Sequence, residues 1–203
     1  MGGKPRTRFF FSLSEGDDMD GRDYFEKGQK AFVIGDHEES FNMFGKALEE
    51  GYEPVKTLLS RGAAYINIED YDRALQDLDR VLEMDGNNER AYYYRGVTRL
   101  KKGEFQQAAE DLDHTLSLNP ERGAAFFARG IARAELDRED QAVADFKQAV
   151  AYSHVETERF LNMFGSDRTA FQRSMALLQG ERGPLTRVLN RTEIEKLRRW
   201  IEH

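Results

Sequence analysis

Four glycines, Gly28, Gly62, Gly96 and Gly130, follow one another at intervals of 34 residues, each inside a stretch whose apolar pattern reads as helix interior. A glycine there costs about 1 kcal/mol relative to alanine, so four in one phase mark a packing requirement met four times. Other positions keep the same register. Twelve residues beyond each glycine stand Ser40, Ala74, Ala108 and Ala142, and four further on Phe44, Leu78, Leu112 and Phe146. Four before each glycine stand Tyr24, Leu58, Tyr92 and Phe126. With the glycine as position 8 of a unit, positions 4 and 8 share one face at about 100° per residue, and so do 20, 24 and 27. Each unit therefore reads as two helices facing each other, with small residues allowing close approach and large ones filling the space beside them. The strings IGDH, IEDY, KGEF and LDRE supply turns inside the units, and DGNN and LNPE supply them between units. One such hairpin cannot bury its own apolar face, so neighbouring hairpins must stack.

This pattern resembles the tetratricopeptide repeat (TPR) family, whose 34-residue helix-turn-helix unit has small residues at 8 and 20 and large ones at 4, 11, 17 and 24. The resemblance covers residues 21 to 154 in four units, about 21–54, 55–88, 89–122 and 123–156. It implies an all-α solenoid of helical hairpins wound as a right-handed superhelix. Two positions depart from the family pattern. Position 11, usually aromatic, is Ala31, Tyr65, Arg99 and Arg133; position 32, usually proline, is Tyr52, Gly86, Pro120 and His154.

Position 7 holds Lys27, Arg61, Arg95 and Arg129. Its helical phase places it within the arc of 4, 8 and 11, facing the packing layer, where a charge is costly unless paired. Position 23 on the facing helix is Asp77, Asp111 and Asp145 in the three units with arginine, and Met43 in the unit with Lys27. The acid appears where the arginine does. Three internal ion pairs are therefore expected, Arg61 with Asp77, Arg95 with Asp111 and Arg129 with Asp145, while Lys27 leads its ammonium to water. The same pairing removes Asp77 to Asp79 and Asp111 to Asp113 as metal candidates.

In the family the first helix of each unit lines a concave groove through positions 2, 5, 9 and 12. The resemblance thus implies a groove drawn from Arg22, Phe25, Gln29, Lys56, Leu59, Arg90, Tyr93, Val97 and Phe127, with Tyr94 at the adjoining position 6. An apolar row at position 5 beside a basic row at position 2 suits an extended or helical peptide with apolar anchors and some acid. Position 5 has a second reading, as packing between hairpins, and the sequence leaves both open. The subclass that grips a C-terminal carboxylate needs Lys and Asn at positions 5 and 9 of one unit, where this chain has Phe25 and Gln29; only Arg90 matches that pattern, so a carboxylate-clamp ligand is not expected.

Composition narrows the remaining classes. Thirty basic residues against 37 acidic ones disfavour nucleic-acid binding. There is no cysteine, hence no disulfide framework, thiolate nucleophile or Cys-based zinc site. The four histidines are scattered and no phosphate loop is present, so no enzyme activity, metal or cofactor is expected. The longest apolar run near the N-terminus, FFFSL, is too short for a signal peptide or a membrane span. Arg6 breaks a myristoylation pattern. A cytoplasmic scaffold or adaptor for a protein or peptide partner is expected, with a self-assembling solenoid as the alternative. Residues 1 to 20 read as a block-charged, flexible tail carrying the docking string RFFFSL. Residues 155 to 203 read as capping and terminal helices, the last opening with a Thr192 to Glu195 capping box.

Overall fold

The computed structural model describes residues 19–152. The expected tail and the terminal helices after residue 152 lie outside the described residues. Within them the chain forms eight α-helices and no strand: α1 (Gly21–Val33), α2 (His37–Glu49), α3 (Pro54–Asn67), α4 (Tyr71–Met84), α5 (Glu89–Lys101), α6 (Phe105–Leu118), α7 (Gly123–Glu135) and α8 (Glu139–Tyr152). Helices pair in sequence as four hairpins, and α1, α3, α5 and α7 also touch one another in turn. The first helices of the units thus make one layer and the second helices another.

Local chemistry sets the helix ends. Asp20 caps α1 through the Arg22 and Asp23 amides, with Asp23 returning the bond to the Asp20 amide. Asp36, Asp70 and Asn88 cap α2, α4 and α5, and Pro54 opens α3 where no amide is needed. Each intra-unit turn passes through a left-handed residue at the same repeat position, with φ of 85° at Gly35, 63° at Glu69, 78° at Gly103 and 57° at Asp137. Two units use glycine there and two accept the cost of a side chain.

The phased glycines lie at the close contacts. A Cβ built on Gly96 would stand 2.9 Å from Leu112 Cγ and 3.3 Å from the Ala108 carbonyl oxygen, and one on Gly130 would stand 2.7 Å from the Phe146 ring. At Gly62 the nearest atom, Leu78 Cγ, is an ordinary 3.4 Å away. Opposite them Ser40, Ala74, Ala108 and Ala142 are buried, and the Ser40 hydroxyl donates to the Gly28 carbonyl at 2.9 Å. Phe44, Leu78, Leu112 and Phe146 fill the space beside each pair.

Candidate functional site

The charged residues of positions 7 and 23 face each other across the second, third and fourth hairpins. Arg61 donates through Nε and Nη2 to the two carboxylate oxygens of Asp77, both at 2.7 Å. Arg95 makes the same fork to Asp111 at 3.0 and 2.7 Å, and Arg129 to Asp145 at 2.9 and 2.6 Å. The three aspartates are 2–3% exposed. Such bidentate pairs are the strong form of charge-assisted hydrogen bond. The hydrogen bond to Asp77 holds the Arg61 guanidinium above its ordinary pKa, against burial. Burial pulls Arg95 down, but its hydrogen bonds to Asp111 and Asp79 more than offset that and raise it. Lys27 reaches Glu39 at 2.9 Å with half its side chain exposed.

Four further residues extend the pairs into a ladder. Arg99 and Arg133, the two departures at position 11, each donate at 2.8 Å to the aspartate already forked, Asp111 and Asp145. Asp79 and Asp113, the second acids of the two DLD strings, accept from the arginine of the following unit, Asp79 from Arg95 at 2.7 Å and Asp113 from Arg129 at 2.6 Å. Arg95 and Arg129 also lie over the Tyr92 and Phe126 rings, with centroids at 5.5 and 5.3 Å. The sequence carried a signal for all four, since each pair is spaced by one repeat. Reading each position alone missed it.

The expected groove residues divide. Lys56, Leu59, Arg90 and Tyr94 meet in a cleft of about 590 Å³ between α3 and α5, floored by Leu59 and Ala63 and edged by Ser60 and Asn88. The place of Phe25, Tyr93, Val97 and Phe127 in the expected groove lining is corrected: they are 3%, 4%, 0% and 1% exposed, which for position 5 favours packing, the second of its two readings, over ligand contact. The reason is side-chain packing, for Phe25 and Phe127 inside their own hairpins. Phe25 lies against Phe44 and Tyr52 at 5.7 and 5.5 Å, and Phe127 against Phe146 at 5.2 Å. Tyr93 is roofed by the Arg122 guanidinium 3.8 Å from its ring centroid, held there by Glu89. Val97 sits in the same apolar cluster. Arg22 and Gln29 are exposed on α1 away from the cleft, Arg22 paired with Glu26 at 2.9 Å.

The cleft's two cations differ. Lys56 Nζ stands 3.2 Å from Glu53 Oε2 and 4.9 Å from the Phe25 ring centroid. The Glu53 hydrogen bond raises its pKa, so it is charged at neutral pH. Arg90 is exposed with its guanidinium 6.0 Å from the Tyr94 ring centroid, and no carboxylate pairs with it among the described residues. No group of three or more histidine, aspartate or glutamate side chains is arranged to hold a metal ion among the described residues. No helix among them is long and apolar enough to cross a membrane.

The family model of the tetratricopeptide repeat matches residues 59–112 and 95–154. Residues 59–154 are thus tetratricopeptide repeats. No curated protein sequence matches the chain significantly. Solved structures similar to this TPR array include MamA from Desulfovibrio magneticus RS-1, 20% identical over 84% of this chain and 97% of that one with a TM-score of 0.62. A double mutant of MamA RS-1 gives a TM-score of 0.64 at 18% identity, covering 88% and 94% of the two chains. YrrB, described as a TPR protein with an unusual peptide-binding site, is 20% identical over 76% of this chain and 74% of its own, with a TM-score of 0.58. At these identities the likeness is one of fold.

Proposed function

We propose that this TPR protein is an interaction scaffold that holds a partner's extended segment in the cleft between α3 and α5. An acidic group of the partner meets Arg90, with Lys56 across the cleft, and an apolar side chain rests on Leu59 and Tyr94. The observation that carries this reading is Arg90: an arginine without a carboxylate partner, at the mouth of an apolar-floored cleft, in an array whose buried arginines are bound to acids. The cleft volume falls within the roughly 300 to 1,000 Å³ of ordinary ligand sites. The repeat family supports protein binding in general, and the peptide site named for YrrB is one fold-level precedent.

The test is selection of a displayed random peptide library on the full chain, followed by affinities for the enriched peptides. Enrichment of Asp or Glu next to a large apolar residue is expected. Arg90→Glu and Tyr94→Ala should each weaken those peptides at least about tenfold, Arg90→Glu chiefly through slower association. Arg90 is exposed, and substitutions at such positions usually move stability by no more than about 0.5 kcal/mol, so the Arg90→Glu melting temperature should hardly change. Tyr94 also packs against two core clusters, so its variant is compared only after its fold is checked by circular dichroism. Peptides that bind both variants as well as the parent would place recognition outside the cleft.

A further inference from the structure

The end of α1 and the turn after it present two aliphatic side chains to solvent, Val33 at 83% and Ile34 at 80% exposure. Position 13 is apolar only here: Val33 corresponds to Asn67, Lys101 and Glu135 in the other units. A hollow of about 490 Å³ runs beside the pair, walled by Glu26, Gln29 and Lys30. Acid follows within a few residues along the chain, in Asp36 at the start of α2 and in the exposed Glu38, which has no ion-pair partner among the described residues.

The same chain carries a complementary segment. Residues 1 to 13 hold Lys4, Arg6 and Arg8, no acid, and the consecutive Phe9, Phe10 and Phe11. From Phe11 to Gly21 the chain spans up to about 33 Å when extended, whereas α1 is only about 20 Å long, so the phenylalanines can reach its far end. The cleft of Lys56 and Arg90 is basic and would repel this leader, whereas Asp36 and Glu38 attract it. Two aliphatic side chains suit one short segment; a stable contact with a second copy of the array needs about 1,200 Å² or more.

We propose that Arg6 to Phe11 of the chain's own leader docks on Val33 and Ile34, with the phenylalanines on the aliphatic pair and the arginines toward Asp36 and Glu38, covering the N-terminal end of the array. The proposal is independent of what the α3–α5 cleft binds.

The test uses the full chain with Phe10 replaced by photoreactive benzoylphenylalanine, an equal amount of isotope-labelled chain, and mass spectrometry of the crosslinked peptides. Crosslinks within one chain to residues 29–38 are expected. Val33→Ser with Ile34→Ser, both exposed and harmless to folding, should lower their yield at least about tenfold. Salt near roughly 0.5 M, where screening acts within a few ångströms, should lower it severalfold. Crosslinks to the Lys56–Tyr94 cleft, crosslinks between labelled and unlabelled copies, a yield unchanged in the double variant, or no crosslink at all would each overturn the proposal.

Discussion

Asp111 illustrates what single residues contribute. It is 2% exposed and accepts hydrogen bonds from Arg95 Nε and Nη2 and from Arg99 Nη1. Removing one partner of a buried pair costs about 3 to 5 kcal/mol, because the other charge is left uncompensated, whereas replacing both is often close to neutral. Asp111→Leu should therefore be the most damaging single change in the third unit. Combining it with Arg95→Met should recover part of the loss, and adding Arg99→Met most of the rest. Urea unfolding of the single, double and triple variants measures this, and strictly additive losses would show the three side chains to be independent. Pairing of this kind was legible because acid and arginine recur together in three copies and are both missing from the first. The one-repeat spacing of Arg99 and Arg133 marked them as a pair, but which acid they share depends on a side-chain reach that a helical wheel does not contain.

Within one hairpin, the distance between two helices is set by what stands opposite the glycine. Gly62, Gly96 and Gly130 share a repeat position but not an environment: the nearest atom to an added Cβ is 3.4 Å away at Gly62, 2.9 Å at Gly96 and 2.7 Å at Gly130. Alanine gains about 1 kcal/mol of helix propensity over glycine, and overpacking a tight contact costs about 1 to 3 kcal/mol. Gly62→Ala should thus be neutral or slightly stabilising, whereas Gly96→Ala and Gly130→Ala should destabilise, which thermal unfolding of the three variants can rank. Equal effects in all three would mean that the facing helices adjust freely. The helices and their pairing were readable from the four-fold phase, as was the meeting of Lys56, Leu59, Arg90 and Tyr94 on neighbouring first helices. Burial of Phe25, Tyr93 and Phe127 was not, because periodicity gives the face a residue points from but not which side chains close over it. Arg122 shows the difficulty. It belongs to a turn, outside any periodic pattern, yet it roofs Tyr93.

Over the whole array the joints are unlike one another. Asp79 ties the second unit to Arg95 of the third, and Asp113 ties the third to Arg129 of the fourth. The corresponding residue of the first unit is Gly45, and Arg61 is forked to Asp77 through Nε and Nη2 alone. The first joint relies on rings instead, with Phe41 stacked on Tyr65 at 4.2 Å. Because a Cβ at Gly45 would meet nothing within 4 Å, Gly45→Asp should supply the absent carboxylate to Arg61. It should stabilise by about 0.5 to 1 kcal/mol more than Gly45→Asn, which matches its size without the charge. Hydrogen exchange read along the chain should show the gain in α1 and α2, where stability in a repeat array is a sum of units and their joints. Equal protection in the two variants would show that Arg61 does not reach across. The ladder also marks where duplication and shuffling leave the least damage. A chain parted between Gly51 and Pro54 strands neither Arg95 nor Arg129, whereas a break at either later joint deprives one of them of an acid. The first hairpin is thus the one that can be exchanged without taking an acid from Arg95 or Arg129, while the other three are tied as a block.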